Sequence, residues 1–307
     1  QQEVEMDYDK DLNQPKKILA DLAPKVLDKI FTLKNPKDFL RTLKVLNESL
    51  DEKHILIYSS NYSIQEVISQ KGWSGEVLQA SKDYLSVINS NINGYKTDGV
   101  VKETIQHYSQ IQDDGRIINE VSITRRHEGG NSDYEWFNKV NANYQRLYVP
   151  EGSRLISVSG QTREFNDPPL DYKALKFKVD PQVAMEEQDM RIDDESGTRI
   201  YSEKGKTVFA NWVYVSPQEE VKIVYRYELP FRINPGSKAG GVDNYSLLAQ
   251  KQSGSRGSRF ESKIAFSERL KVIWKYPESD FRKTEGNELN FSGDLSKDKF
   301  LGITFSQ

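Results

Sequence analysis

The spacing of hydrophobic residues along the chain changes once, close to residue 100. Before that point apolar residues recur at intervals of three and four, which predicts one face of a helix. The first such stripe consists of Ile18, Leu19, Leu22, Val26, Leu27 and Ile30. Pro24 lies inside this stripe and predicts a kink or a break into two helices, because proline removes a backbone donor.

A second helix is predicted to begin at Pro36, with Asn35 as the N-cap. We expect its inward side to carry Phe39, Leu43, Leu46 and Leu50. A third, short helix is predicted in "SIQEVISQKG", with Ser63 as its cap and Gly72 at its C-terminal end.

Two continuous apolar runs, "HILIYSS" (54–60) and "DYLSVIN" (83–89), have the length of a strand. Such runs predict strands that are buried on both faces. Because a helix is predicted between them, residues 1–103 are expected to form a small α/β portion, the closing part of a larger domain.

After Val100 apolar and polar residues alternate instead, which predicts strands. Asp114-Gly115 predicts a tight hairpin turn between the first two of them. The same alternation recurs to the end of the chain, so residues 104–307 predict a large antiparallel β-sandwich. The segment "RINPGSKAGGVDN" (232–244) predicts either a long loop or a subdivision of that sandwich. The predicted fold class is therefore α+β.

Composition narrows the range of functions. The chain has 307 residues, of which 36% are hydrophobic and 29% charged, and aromatic residues make up 11%, which argues against disorder. The formal net charge of −3 does not favour a nucleic-acid partner. The chain has no cysteine, which excludes thiol nucleophiles, cysteine-based metal sites and disulfides and favours an exported protein.

The first residues, "QQEVEMDYDKDLNQ", include neither a basic stretch nor an apolar stretch, so they do not predict a signal peptide. No run of about 18 apolar residues is present, so no membrane insertion is expected. We expect this chain to be part of a longer protein whose targeting segment lies upstream.

The stretch "NSNINGYKTDG" (89–99) invites comparison with two ligand-binding loops. Asn89, Asn91, Asn93 and Gly94 match the first half of an EF-hand loop, but Val100 stands where that loop needs a glutamate. A phosphate-binding loop needs a glycine that this stretch lacks before Lys96-Thr97.

The favoured interpretation of this stretch is therefore a tight Asn-Gly turn, with Lys96 and Asp98 in an exposed pair or a local hydrogen-bond network. A direct role in binding stays open as the alternative. The candidate ligand contacts are Asn91, Asn93, Lys96, Asp98 and, as the tryptophan expected to be most exposed, Trp73.

No catalytic constellation is evident elsewhere. The histidines His54, His107 and His127 are far apart in sequence, and the acidic pairs lie in turn-like segments. A basic cluster in "KQSGSRGSRFESK" (251–263) predicts a soluble hairpin loop rather than a polyanion contact. We predict no catalytic, cofactor-binding or metal-binding residue, and no cofactor.

Four segments together resemble the later part of the bacterial "domain of unknown function 4012" family. They are "NQPKKILADLAPKVL", "HILIYSSNYSIQEVISQKGWSGEV", "DYLSVINSNINGYKTDGVV" and "YQRLYVPEGSRLISVSG". The resemblance covers the chain from about residue 10 onward. It implies an exported protein of the cell envelope, anchored by a transmembrane segment upstream of this chain, and it implies no particular site residue.

Two functions fit these observations. The first is a non-catalytic envelope module that binds a glycan, an envelope polymer or another envelope protein. The second is an envelope enzyme that transfers or hydrolyses a glycan or phosphodiester, with its active site mainly in the α/β portion. The Asn89–Asp98 loop would hold part of that site, since ligands in α/β folds bind at strand ends. We favour the first, because function is argued from a site and no catalytic site is evident.

Overall fold

The computed structural model describes residues 17–92, 95–163, 170–237, 241–283 and 286–307. The chain divides into two compact units, one that reaches to Ser74 and one that runs from Gly75 to Gln307. The first is helical over its described residues and the second is mostly β-strand, so the fold class is α+β.

The first unit contains helices α1 (Lys17–Phe31), α2 (Pro36–Asp51) and α3 (Tyr62–Gln70). Helix α1 continues through Pro24 as one helix, so the predicted break into two helices is wrong. The predicted cap of α2 is confirmed, because the Asn35 side chain accepts a hydrogen bond from Lys37 N at 3.0 Å. Helix α3 is capped by Asn61, two residues before the predicted Ser63.

The strand predicted in "HILIYSS" is absent. Ile55, Leu56 and Ile57 lie in an irregular segment and are 39%, 46% and 38% exposed. A strand needs a neighbour to satisfy its backbone groups, and no other strand is present in the described part of this unit. The predicted burial of α2 is also wrong at Phe39 and Leu43, which are 44% and 45% exposed.

The second unit contains two sheets. Their strands are β1 (Asp83–Asn91), β2 (Val101–Ile111), β3 (Arg116–His127), β4 (Asn141–Pro150), β5 (Arg154–Ser159), β6 (Arg191–Ile192), β7 (Arg199–Glu203), β8 (Lys206–Val215), β9 (Glu220–Arg232), β10 (Val242–Gln250), β11 (Arg259–Phe266), β12 (Lys271–Tyr276), β13 (Arg282–Lys283), β14 (Glu288–Asp294) and β15 (Lys299–Ser306). The eight-stranded sheet has the order β12-β15-β10-β1-β4-β8-β7-β6 and the seven-stranded sheet has the order β13-β14-β11-β2-β3-β9-β5. A short helix, α4 (Pro181–Glu187), precedes β6.

Neither sheet is purely antiparallel, contrary to the prediction. Strand β1 pairs with β10 in parallel, and β2 pairs with β11 in parallel. The parallel pairs arise from the path of the chain. Strands β10 and β11 come late in the sequence, and each lies beside the strand that comes first in its sheet, β1 and β2 respectively. The segment after β9 connects the seven-stranded sheet to β10 of the eight-stranded one.

The two sheets share one hydrophobic core. Leu147 and Val213 contribute to it from the eight-stranded sheet, and Ile123 and Ile223 contribute from the seven-stranded sheet, all with no exposed surface. Each fully buried aliphatic side chain stabilises the fold by about 1.5–3 kcal/mol. Since alternate residues of a strand point to opposite faces, the other residues of β4 and β8 form the outer face of the eight-stranded sheet.

The predicted hairpin at Asp114-Gly115 is confirmed between β2 and β3. Gly115 has φ +80°, and a Cβ there would lie 2.4 Å from the backbone oxygen of Ile233, so the turn requires glycine. Within the described residues, no helix combines the length and the apolar character needed to cross a membrane.

Candidate functional site

The predicted loop after β1 belongs to a polar network. Asn91 Nδ2 donates a hydrogen bond to Thr97 Oγ1 at 3.1 Å, and Asn141 Nδ2 of β4 donates to both Thr97 Oγ1 and Asp98 Oδ1 at 2.9 Å. Asn91 and Asp98 are therefore brought together, while Lys96 lies exposed on the same loop. Asn93 lies outside the described residues.

The network surrounds a buried arginine. Arg125 of β3 donates from Nη1 to Asn141 Oδ1 at 3.1 Å, and its Nε lies 3.7 Å from Glu103 Oε2. Burial lowers the pKa of Arg125, which Glu103 and Asp98 oppose through their charges. The two carboxylates compensate a guanidinium that would otherwise be costly to bury, which gives Asp98 a partner inside the protein.

Trp73 lies in the helical unit. It is half-buried, and its Nε1 donates to Asp51 Oδ1 at 3.2 Å. The more exposed indole is that of Trp274 on β12, with 51% of its surface accessible. The indole N–H of Trp73 is therefore already hydrogen-bonded within its own unit.

A pocket of about 300 Å³ lies on the outer face of the eight-stranded sheet. Strands β4, β7 and β8 form its floor, and the segments at residues 162–163 and 192–197 form its walls. The residues that line it are Tyr144, Thr162, Arg163, Ile192, Asp193, Asp194, Ser196, Gly197, Arg199, Ala210, Asn211 and Trp212.

Two aromatic rings lie on the floor of the pocket. Tyr144 and Trp212 are register partners on β4 and β8, and their ring centroids lie 5.1 Å apart with an interplanar angle of 60°. Trp212 also contacts Tyr214, with centroids 5.7 Å apart. Such edge-to-face pairs stabilise one another beyond their buried area, so the floor is preorganised.

The wall formed by residues 193–198 is a tight turn. Asp193 Oδ2 accepts hydrogen bonds from Ser196 N at 3.0 Å and from Ser196 Oγ at 2.6 Å. Thr198 Oγ1 donates to Asn211 Oδ1 at 3.1 Å, and Asn211 Nδ2 donates to Tyr225 OH at 3.3 Å. The turn is thus anchored in the core between the sheets.

Two arginines complete the rim. Arg163 Nη2 donates to the backbone oxygen of Glu195 at 2.8 Å and so braces the turn. The guanidinium carbon of Arg199 lies 5.8 Å from the centre of the Tyr144 ring, within the range of a cation–π contact. Because Asp193 and Asp194 offset these two positive charges, the pocket favours neither an anion nor a cation.

Trp212 carries an unused donor. Its Nε1 is buried and has no hydrogen-bond partner among the residues that the structure describes. Buried polar groups in native proteins are nearly always paired, and an unpaired one costs about 1–3 kcal/mol.

A carboxylate, an imidazole and a hydroxyl lie in series inside the same unit, but they are buried and no substrate can reach them. His107 Nε2 lies 3.6 Å from Asp83 Oδ2, and His107 Nδ1 is 3.0 Å from Ser262 Oγ. Asp83 also accepts from Tyr245 OH at 2.6 Å, and burial followed by the Asp83 charge raises the pKa of Tyr245 well above its ordinary value. The side chains of Asp83 and His107 have no exposed surface, so these groups form a polar network within the core.

No three histidine, aspartate or glutamate side chains in the described part of the chain lie close enough together to hold a metal ion. Two residues of the basic cluster predicted at 251–263 are engaged locally. Lys251 is buried and donates to Ser255 O at 2.7 Å, and Lys263 pairs with Glu288 at 2.7 Å.

The Tyr144–Trp212 pocket was not predicted from the sequence. A signal was present, because Trp212 and Tyr214 alternate with the buried Val213 and Val215 and must therefore share the outer face. Large aromatic residues on the solvent side of a strand are typical of a binding surface.

No protein-family model matches the chain, and neither does any curated protein. Among solved structures, it is similar to a candidate nutrient-binding protein from Legionella pneumophila, with 8% identity and a TM-score of 0.39 over 74% of this chain and 72% of that one. It is also similar to an M1 zinc metallopeptidase from Deinococcus radiodurans, with 11% identity and a TM-score of 0.32, over 67% of this chain and 42% of the peptidase. The Fcho1 Mu homology domain from Danio rerio has 9% identity and a TM-score of 0.20, over 74% of this chain and 80% of that domain. These scores assign neither a fold family nor a function to the chain.

Proposed function

We propose that the unit from Gly75 to Gln307 is a β-sandwich binding module of the bacterial cell envelope, and that its Tyr144–Trp212 pocket binds a neutral sugar unit of an envelope glycan. The paired rings of Tyr144 and Trp212 on the pocket floor carry this proposal. A pyranose ring presents C–H groups on its faces and hydroxyls around its edge. An aromatic floor with a polar rim complements both.

The rim supports a neutral ligand rich in hydroxyls. Arg199 can donate to hydroxyl oxygens, and Asp194 can accept from hydroxyl protons. The volume of about 300 Å³ lies at the lower end of the usual range for small-molecule sites, about 300–1,000 Å³, and fits one or two sugar rings.

The envelope location rests on the resemblance to the "domain of unknown function 4012" family and on the absence of cysteine. In that location, anchored through a segment upstream of this chain, glycan polymers are the most abundant partners within reach. Another envelope protein is the alternative partner.

One carboxylate at each candidate site, Asp193 in the pocket and Asp98 in the loop, has an internal role, which favours binding over catalysis. Asp193 accepts two hydrogen bonds from Ser196, so its carboxylate holds the turn. Asp98 accepts from Asn141 and lies beside Arg125. A glycosidase needs two carboxylates that face each other across the sugar, and no observation at either site supports such a pair.

The test is binding of the purified chain to a panel of neutral trisaccharides, namely those of N-acetylglucosamine, glucose and xylose, by isothermal titration calorimetry. Tyr144→Leu should weaken binding at least tenfold, because it removes a stacking ring and keeps an apolar side chain. Tyr62→Leu is the matched control, since Tyr62 is 81% exposed on α3 and should leave binding unchanged.

Two results would overturn the proposal. One is the absence of binding across the panel and across a wider glycan array. The other is a Tyr144→Leu variant that is folded, as judged by circular dichroism, and binds as tightly as the unmodified chain.

A further inference from the structure

We infer that Trp274, Tyr276 and Phe300 form a second sugar-stacking surface, separate from the pocket, which gives the module two contacts with one glycan polymer. This inference rests on the proposed function and extends it from a single sugar unit to a polymeric ligand. We refer to these three residues as the aromatic platform.

The platform is open to solvent, and two of its three rings are nearly parallel. Trp274 and Tyr276 are 51% exposed and Phe300 is 47% exposed. The rings of Trp274 and Tyr276 are inclined by only 12°, with centroids 6.3 Å apart, and the centroids of Tyr276 and Phe300 are 6.1 Å apart. Large apolar side chains grouped on a surface in this way mark an interaction site.

Gly302 leaves room for the indole of Trp274. The register of β12 and β15 places Gly302 opposite Tyr276, on the face that carries the platform. A Cβ at Gly302 would lie 3.1 Å from Trp274 Cζ3 and 3.4 Å from Phe300 Cε1. A side chain at Gly302 would therefore require the indole to shift by a few tenths of an ångström.

The surroundings of the platform favour a polar occupant. Thr304 lies opposite Trp274, Asn244 lies opposite Thr304, and Lys271 lies opposite Ser306. The side chains of Thr304, Asn244 and Lys271 make no hydrogen bond or ion pair within the described residues, which leaves an ammonium, an amide and a hydroxyl available beside the rings.

A purely apolar partner, such as a lipid or the apolar face of another protein, would leave these polar groups unpaired, which is costly on burial. A glycan chain stacks its ring faces on the aromatic residues and pairs its hydroxyls with the polar groups. The complementarity is therefore with a saccharide, the same class of ligand proposed for the pocket.

The platform and the pocket are far apart on one sheet. Phe300 pairs with Leu248 of β10, Leu248 with Tyr84 of β1, and Tyr144 with Ser90 of β1. At about 4.8 Å per strand and about 3.3 Å per residue, three strands and six residues separate Phe300 from Tyr144 by about 25 Å. A trisaccharide reaches only one of these places at a time, whereas a long chain or a polymer surface reaches both.

Two linked contacts with one polymer raise the overall affinity by about 10²–10⁴-fold over either contact alone. Loss of the platform should therefore weaken binding to the polymer and leave binding of the trisaccharide to the pocket unchanged. If the platform instead bound the trisaccharide as the pocket does, its loss would also reduce trisaccharide binding.

The experiment compares Trp274→Ala/Tyr276→Ala and Gly302→Ala with Tyr144→Leu. Each is measured on the trisaccharide that binds best and on the insoluble polymer of the same sugar: chitin, cellulose or xylan. We expect the Trp274→Ala/Tyr276→Ala variant to keep the trisaccharide affinity and to lose at least tenfold in polymer affinity. Gly302→Ala shifts the indole slightly without removing an aromatic residue, so we expect it to cause a smaller loss of polymer affinity.

The outcomes separate the two proposals. If Tyr144→Leu weakens polymer binding and the platform variants do not, the platform has no role in glycan binding and the pocket stands. If neither change weakens binding, both proposals fail. If the platform variants abolish self-association in analytical ultracentrifugation and leave polymer binding intact, the platform is an interface between copies of the chain and this inference is overturned.

Discussion

The guanidinium of Arg125 is buried against the loop that follows β1, with its Nη2 3.6 Å from Asp98 Oδ1. Glu103, whose side chain is 12% exposed, approaches the same guanidinium through Oε2. Asp98 is different, because 53% of its side chain is exposed. The two carboxylates thus share one cation but differ in how far water screens them.

We predict that the two carboxylates contribute unequally to stability. Glu103→Gln should lower the free energy of unfolding by about 3 kcal/mol, because it leaves a buried charge with less compensation. Asp98→Asn should cost less than about 1 kcal/mol, because solvent already screens that pair. Urea unfolding of both variants measures the difference, and equal losses would contradict the assignment of Glu103 as the main partner.

Stability should fall in mild acid through His127. His127 is fully buried, its Nδ1 accepts from Gly129 N at 3.0 Å, and its Nε2 lies 3.0 Å from Lys139 O. Burial lowers the pKa of His127 below its ordinary value near 6.5. The unfolded chain therefore binds the proton first, and stability is lost as the pH falls from about 6.5 through the folded pKa.

The measurement is the free energy of unfolding in urea at pH 7.5 and pH 5. A His127→Gln variant supplies the control, because it has no group to titrate at this position. Its loss of stability between the two pH values should be smaller than that of the unmodified chain. An unchanged pH dependence would show that His127 is not the titrating group.

The turn between β2 and β3 should tolerate no side chain at Gly115. Gly115→Ala combines a positive φ with an approach of 2.4 Å to Ile233 O, and we expect a loss of about 2 kcal/mol or more. Gly254→Ala is the matched comparison, since Gly254 has φ +75° and no atom within 4 Å of the added Cβ. It should cost only about 1–2 kcal/mol. Thermal unfolding followed by circular dichroism ranks the two.

The wall of the pocket should loosen when its anchor is removed. Thr198→Val keeps the shape of the side chain but leaves Asn211 Oδ1 without its donor, at a cost of about 1–3 kcal/mol. We expect faster hydrogen exchange at the amides of residues 196–198. Thr304→Val, on the outer face of β15, is the control and should leave that exchange unchanged, so similar exchange in both variants would contradict the anchoring role of Thr198.

Local patterns predicted most of the strands, because alternation is a property of consecutive residues. Val213 and Val215 face the core and Trp212 and Tyr214 face outward, as period two requires. The pocket could not be predicted in the same way. It depends on Tyr144 lying opposite Trp212, 68 positions later by the register of β4 and β8, and pairing over that distance is set by the whole fold.

The failed strand at Ile55, Leu56 and Ile57 has a related cause. An apolar run specifies that a segment gains from burial, but it does not supply the partner whose backbone must pair with it. The similar run that begins at Asp83 did become a strand, since β4 and β10 flank it on both sides. The candidate contacts at Asn91, Asn93, Lys96 and Asp98 stay a prediction.

The parallel pairing of β1 with β10 joins residues that are far apart in the chain, such as Asp83 and Leu247. A sheet whose central strands pair over such a distance in sequence has a high contact order, and domains with a high contact order fold slowly. During synthesis β1 and β4 emerge long before β10 and β15, which leaves an apolar edge exposed in the interval. Nascent chains of this topology are candidates for chaperone binding, and delayed synthesis between β9 and β10 should increase their aggregation.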